Sequence, residues 1–331
     1  MRYRLLASVA LLAVLFAASP AVPQAPLPAP AFHHLHLNAT NPDAAIAFYI
    51  RQFPSTSKTI WGGLPALASP NNVLVLFSRV NTAPPADPEA TAFWHFGWHV
   101  TDVRQNLQTY QARPEVTLAP LYTGDSGGSV FVSSDTWPGT GGVLGLTVAQ
   151  IADAKARNVQ PLRGVGFAYL RGPDNALVEY QGNMPAERFN HVHLYQEDPF
   201  CAQAWYRRHL NAPLPANAQP RTEADCKVAR GPDRTWPALN REGMFRTPTA
   251  GVLFGDVSMN WYMRQGNTPL QPTRGRLMDH VALSVSNLDV WIAKLRSETV
   301  KFLEQEYRLG DTRAVMIEGP SRETIELVEI K

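Results

Sequence analysis

The chain has 331 residues, with 30 Lys+Arg against 28 Asp+Glu and a net charge of +2. There is length for two domains and no general electrostatic pull toward nucleic acid. Apolar residues at 45% and charged residues at 18% exclude global disorder, and two cysteines exclude both a disulfide-dense scaffold and a Cys-ligated zinc module.

Met1 to Ala21 reads as a secretory signal: Arg2 and Arg4 precede an apolar run, Leu5 to Ala18, that is too short to span a bilayer comfortably, and Ser19-Pro20-Ala21 offers small residues for cleavage. An uncleaved anchor is the alternative. Residues 22–31 follow as a Pro-rich linker. No other apolar stretch is long enough for a span, so the mature chain is expected to be secreted or periplasmic, with no membrane segment. In that oxidising setting Cys201 and Cys226 are expected to form a disulfide, with two free thiols as the alternative.

The chain repeats itself. His34-Leu35-His36-Leu37, Asn41-Pro42-Asp43 and Ala47-Phe48-Tyr49 match His191-Val192-His193-Leu194, Asp198-Pro199-Phe200 and Ala204-Trp205-Tyr206 at a constant offset of 157 residues. Weaker copies begin at His95 and His280. In all four, Asn or Asp stands seven residues after the His: Asn41, Asp102, Asp198 and Asn287. A strand therefore starts at each His and ends at a side chain suited to cap a helix. Helices are predicted over Pro42–Gln52, Val103–Gln111, Pro199–His209 and Leu288–Ser297, two of them with a first-turn proline.

Further strands follow each helix: Val73–Phe77, then Val165–Leu170 with Ala176–Gln181, then Val252–Asp256 with Met259–Met263, then Arg313–Glu318 with Thr324–Ile330. The fold class is α+β, with four units of one helix among several strands. Glu179 and Glu326 each lie six residues after the proline of a turn, Pro173 and Pro320, inside a closing strand.

Each half so carries two His and one Glu: His34, His95 and Glu179, then His191, His280 and Glu326. Two imidazoles and a carboxylate can hold a divalent metal on one face and leave positions open for substrate, water or oxygen. The set suits Fe(II), with Mn(II), Zn(II) or Ni(II) as alternatives. Strand alternation puts His36, His99 and His193 on the face of the first His of their copies, where they could orient a ligand or move protons; His33 should face the other way. A vestigial, metal-free second site is the bland alternative.

These residues resemble the vicinal oxygen chelate superfamily, which includes glyoxalase I, fosfomycin-modifying enzymes, bleomycin-resistance proteins and extradiol dioxygenases. The resemblance rests on His34 to Asn41, Phe93-Trp94-His95 through Thr101-Asp102, Gly172 to Glu179 and Ile325-Glu326-Leu327, and covers residues 32–331 as four βαβββ modules. It implies two half-barrel domains, 32–184 and 185–331, each a consecutive module pair around a metal. It implies an enzyme acting on a small molecule whose vicinal oxygens chelate that metal, with dioxygenase chemistry leading and a metal-assisted lyase or isomerase next. A non-catalytic sequestration protein of bleomycin-resistance type is the rival reading. The Gly-rich stretch Thr117 to Ala149 could be a lid over the first site, or a surface loop, and Trp94, Trp98 and Trp137 could line a pocket or pack a core.

Overall fold

The computed structural model describes residues 27–85, 90–123, 129–135, 153, 156–159, 166–228, 246–264 and 268–330. The expected signal peptide, half of the linker, Trp137 and much of the Gly-rich stretch lie outside these residues.

The first module is β1 (Ala31–Ala39), α1 (Pro42–Gln52), β2 (Ser57–Trp61), β3 (Leu64–Ala68) and β4 (Leu74–Arg79). The second is β5 (Phe93–His99), α2 (Val103–Gln111), β6 (Thr117–Ala119), a small hairpin of β7 (Tyr122–Thr123) and β8 (Ser129–Val130), then β9 (Phe167–Arg171) and β10 (Leu177–Gln181). The third has β11 (Arg188–Gln196), α3 (Pro199–Leu210), β12 (Arg246–Phe254) and β13 (Val257–Met263). The fourth has β14 (Met278–Val285), α4 (Leu288–Ser297), β15 (Tyr307–Leu309), β16 (Thr312–Glu318) and β17 (Thr324–Glu329). The β2–β3 hairpin is a pair that the hydrophobic pattern does not mark. It turns on Gly62 and Gly63, both at positive φ, a backbone conformation that side chains penalise.

Three of the four caps form as the sequence implies. Asn41 accepts from the Ala44 amide, Asp102 from those of Arg104 and Gln105, and Asn287 from that of Val290. Asp198 makes no cap hydrogen bond and accepts from the Val228 amide instead. With the disulfide that Cys201 forms with Cys226, this ties the segment after α3 back onto the helix.

The modules do not pair within each half. One sheet has the strand order β15-β16-β17-β14-β1-β4-β3-β2, and the other has β12-β13-β11-β5-β10-β9-β6. The first module is joined to the fourth through β1 and β14, and the second to the third through β5 and β11. The division into 32–184 and 185–331 therefore does not describe the sheets. Connector length accounts for this. Residues 182–187 between β10 and β11 are six, a short link that keeps modules two and three in one sheet. Residues 80–92 and 264–277, 13 and 14 long, have the reach to change sheets. They touch through a bridge between Thr91 and Gln271.

Alternation along the central strands separates two faces. Leu35 and Leu37, Phe96 and Trp98, Val192 and Leu194, and Val281 and Leu283 enter the main core, which spans both sheets and the helices. Trp98 stacks on Phe53 with ring centroids 4.3 Å apart and is fully buried, so it packs the core. The opposite faces carry the histidines.

The repeat also positions Tyr49 and Tyr206. The Tyr206 hydroxyl donates to Glu323 at 2.9 Å. The residue matching Glu323 in the second module is Ala176, and the buried Tyr49 hydroxyl has no hydrogen-bond partner among the described residues. An unmade buried hydrogen bond costs about 1–3 kcal/mol. Tyr49→Phe should therefore leave stability unchanged or raise it by about 1 kcal/mol, while Tyr206→Phe should lower it. Denaturant titration of the two variants checks this, and a clear loss in Tyr49→Phe would show that its hydroxyl has a partner.

Candidate metal centres

Cross-pairing redistributes the expected ligands. On the seven-stranded sheet His95, Glu179, His191 and His193 converge, with ligand atoms all within 4.8 Å of one another. On the eight-stranded sheet His34, His36 and His280 do the same. Glu326 joins them, its Oε2 3.3 Å from His34 Nε2 and 3.8 Å from His280 Nε2. His34 thus meets His280 and Glu326, not His95 and Glu179. His191 meets His95 and Glu179, not His280 and Glu326.

Register makes the centres equivalent. Glu179 pairs with Gly97, and Glu326 with Ala282, each two residues beyond the module's His. The matching closing-strand positions of the first and third modules are Leu76, opposite His36, and Asn260, opposite His193. Those modules contribute a second His instead of a carboxylate. Each centre so collects three His and one Glu. His36 and His193 stand among the potential ligands rather than behind them. His99 lies outside both groups, further along β5 opposite Arg188.

Four strand irregularities shape the centres. The register slips at His33, Trp94, Asn190 and Asp279, each the residue just before a ligand His. Simple alternation sends these side chains to the far face; the slip brings them against the His ring. Asn190 Oδ1 lies 2.9 Å from His191 Nδ1, and Asp279 Oδ1 lies 2.7 Å from His280 Nδ1. His33 Nδ1 lies 2.8 Å from His34 Nδ1, and the Trp94 ring packs edge-on against His95 at 4.3 Å. The expectation that His33 faces away is therefore incorrect. At His280 the Asp279 carboxylate, which can only accept, fixes Nδ1 as the donor and turns the Nε2 lone pair inward, whereas His191 Nδ1 stands between Asn190 Oδ1 and the Gln181 amide nitrogen at 3.0 Å. Asn190 and Asp279 are functional positions that the alternation rule hides; their signal is an Asn or Asp directly before the module's His.

The carboxylates are held by tyrosines. Tyr169, opposite Glu179 on β9, donates to it, and Tyr307 on β15 donates to Glu326. Burial raises the pKa of both carboxyls. Burial pushes His34, His95, His191 and His193 well below the ordinary imidazole value, and His36 down to about 3. For Asp279 burial alone would raise the pKa, but His280, the Gly275 amide and Arg274 outweigh it and hold the carboxylate ionised.

Unsatisfied atoms test whether a metal fits. Among the described residues, His34 Nε2, His36 Nδ1, His280 Nε2 and Glu326 Oε2 are buried without a hydrogen-bond partner, as are both ring nitrogens of His95, His191 Nε2 and His193 Nδ1. His95 Nε2 is 3.0 Å and His191 Nε2 3.8 Å from the oxygens of Glu179. Donors about 2.1 Å from a common ion stand about 3–3.4 Å apart at right or tetrahedral angles. Buried imidazoles whose ring nitrogens lack hydrogen-bond partners, around a buried carboxylate, fit a divalent cation, which would relieve the cost of these groups.

No family model and no curated protein matches the chain. Solved structures do. Glyoxalase I from Zea mays is 14% identical, with a TM-score of 0.57 over 90% of this chain and 92% of that one. A dioxygenase candidate from Bacillus subtilis subsp. subtilis str. 168 is 9% identical, with a TM-score of 0.54 over 91% of this chain and 85% of that one. The chain has the fold of the vicinal oxygen chelate superfamily.

Proposed function

We propose that the protein is an exported, metal-dependent enzyme that acts on a small molecule through vicinal oxygens. Dioxygenase chemistry with Fe(II) is the leading reaction. The observation that carries this reading is the pair of three-His, one-Glu clusters with inward-facing buried atoms left unsatisfied. His34, His36, His280 and Glu326 would hold one ion, and His95, His191, His193 and Glu179 the other. A bound divalent ion would supply Lewis acidity and, with iron, the means of activating oxygen. The protein contributes buried imidazoles, carboxylates steadied by Tyr169 and Tyr307, and the Asp279 carboxylate that orients His280. The Ser78 hydroxyl, 2.8 Å from His36 Nε2, holds this ring while its Nδ1 is left without a hydrogen-bond partner among the described residues.

Anaerobic reconstitution with Fe(II), followed by a catechol and then oxygen, tests this. Oxygen uptake is expected with Fe(II), not with Zn(II), and should fall about 100-fold or more when Glu179→Gln and Glu326→Gln are combined. Chelation of the diol without oxygen uptake would point to a lyase or isomerase. Diol binding by metal-free protein would point to sequestration. Export is supported by the apolar leader and the disulfide, and N-terminal sequencing of exported material should begin after Ala21.

A further inference from the structure

The two centres present the same ligand types, but different groups stand behind their histidines. A neutral imidazole carries one ring proton and can ligate a cation only through the other nitrogen. The protonated nitrogen then has to donate. An acceptor beside it readies the ring for a metal, and a donor beside it opposes one.

On the eight-stranded sheet every such neighbour can accept. His280 Nδ1 meets Asp279 Oδ1 at 2.7 Å. Asp279 is itself fixed by the Gly275 amide at 2.6 Å, Arg274 at 3.0 Å and Asn38 Nδ2 at 3.1 Å. His36 Nε2 meets the Ser78 hydroxyl at 2.8 Å, which can turn to accept, and His34 Nδ1 meets His33 Nδ1 at 2.8 Å, where either ring can hold the proton.

The equivalent groups on the seven-stranded sheet serve less well. Trp94 stands where Asp279 does, and His95 Nδ1 is buried without a hydrogen-bond partner among the described residues. His193 Nε2 meets Asn260 Nδ2 at 3.1 Å, and an amide nitrogen only donates. That contact keeps the ring proton on Nδ1, the nitrogen left for a metal. Turning the amide over would give up its 3.3 Å bond to Ser258 Oγ. His191 Nδ1 is shared between an acceptor, Asn190 Oδ1 at 2.9 Å, and a donor, Gln181 Nε2 at 3.0 Å. Charge acts in the same direction. Asp279 adds a second carboxylate to Glu326, and its partner Arg274 is shared with Glu304 at 2.7 Å.

We propose that the two centres differ in metal affinity: the one on the eight-stranded sheet fills first, and Asp279 is the positioning residue that sets most of the gap. This rests on the reading of both clusters as metal centres. A cation arriving there meets rings whose outer nitrogens already have acceptors. At the other centre it has to displace a proton from His193 and turn an amide.

The test titrates metal-free protein with Zn(II) against a chromophoric chelator. Two steps are expected, the first tighter by about tenfold or more. His280→Ala should leave only the weak step, and His95→Ala only the tight one. Asp279→Asn should weaken the tight step by about 10–100-fold and leave the other step, an internal control for folding, where it was. Arg274→Ala breaks the same loop network but spares the acceptor on His280, so it should move the tight step much less. Two equivalents bound with one affinity, or the tight step surviving in His280→Ala, would overturn the proposed order. Equal losses in Arg274→Ala and Asp279→Asn would overturn the role of Asp279. No bound zinc would overturn the metal reading together with both.

Discussion

Replacing Gly97 with alanine is expected to remove metal from the seven-stranded sheet while the other centre keeps its own. A Cβ on Gly97 would lie 2.4 Å from His191 Cε1, 2.6 Å from its Nε2 and 2.7 Å from the Glu179 carbonyl oxygen. The backbone there is ordinary, so the requirement is space and not conformation. Two of the three neighbours belong to a proposed ligand, and the third is main chain in the adjacent strand, so neither yields cheaply. Overpacking of this kind costs about 1–3 kcal/mol of stability. The matching position on the other sheet is Ala282, which already carries a methyl opposite His34. Metal analysis should fall from two equivalents to one, with an accompanying loss in denaturant midpoint. An unchanged metal count would show that His191 does not need the space Gly97 leaves.

The second large effect concerns Glu323, which is fully buried where the third and fourth modules meet. Its carboxyl accepts from the Tyr206 hydroxyl at 2.9 Å and the Ser321 amide at 2.7 Å. Burial nevertheless dominates and pushes its pKa up from 4.5 to about 7. Between those values the folded chain holds a proton that the unfolded chain has released, so stability falls as pH rises through the window. The loss is of order 3 kcal/mol and is complete above pH of about 7–8. Glu323→Gln carries no such charge. The difference in unfolding free energy between variant and parent should shift in the variant's favour by about that amount from pH 4.5 to pH 8.5. Taking the difference cancels the buried histidines, which act in the opposite sense by destabilising the fold as pH falls. A pH-independent difference would contradict the account.

Much of the fold was legible because its repeat carries local physics. A His-led strand, a capping Asn or Asp and a helix recur four times, and each of these signals is decided within about a dozen residues. Glu179 and Glu326 were legible for the same reason, as markers at fixed distance from a turn. The grouping of ligands was not, because it depends on which module lies beside which. His34 and His95 belong to one half of the sequence yet sit on different sheets. The clue was present in connector length, six residues between β10 and β11 against 13 and 14 at the other junctions. Asn190 and Asp279 were hidden for a different reason. Strict alternation puts them behind the sheet, and only the slip in register before each His brings them round. Asp198 shows the limit of motif reading, since its cap role is displaced by a tertiary bond to Val228.

Two double variants bear most directly on the cross-paired centres. His34→Ala with His280→Ala strikes one centre twice, and should leave one equivalent of metal bound at the other. His34→Ala with His95→Ala strikes each centre once, and should leave none. The reverse outcome, one equivalent retained by His34→Ala with His95→Ala and none by His34→Ala with His280→Ala, would mean that each half of the chain builds its own site and would contradict the pairing of the first module with the fourth.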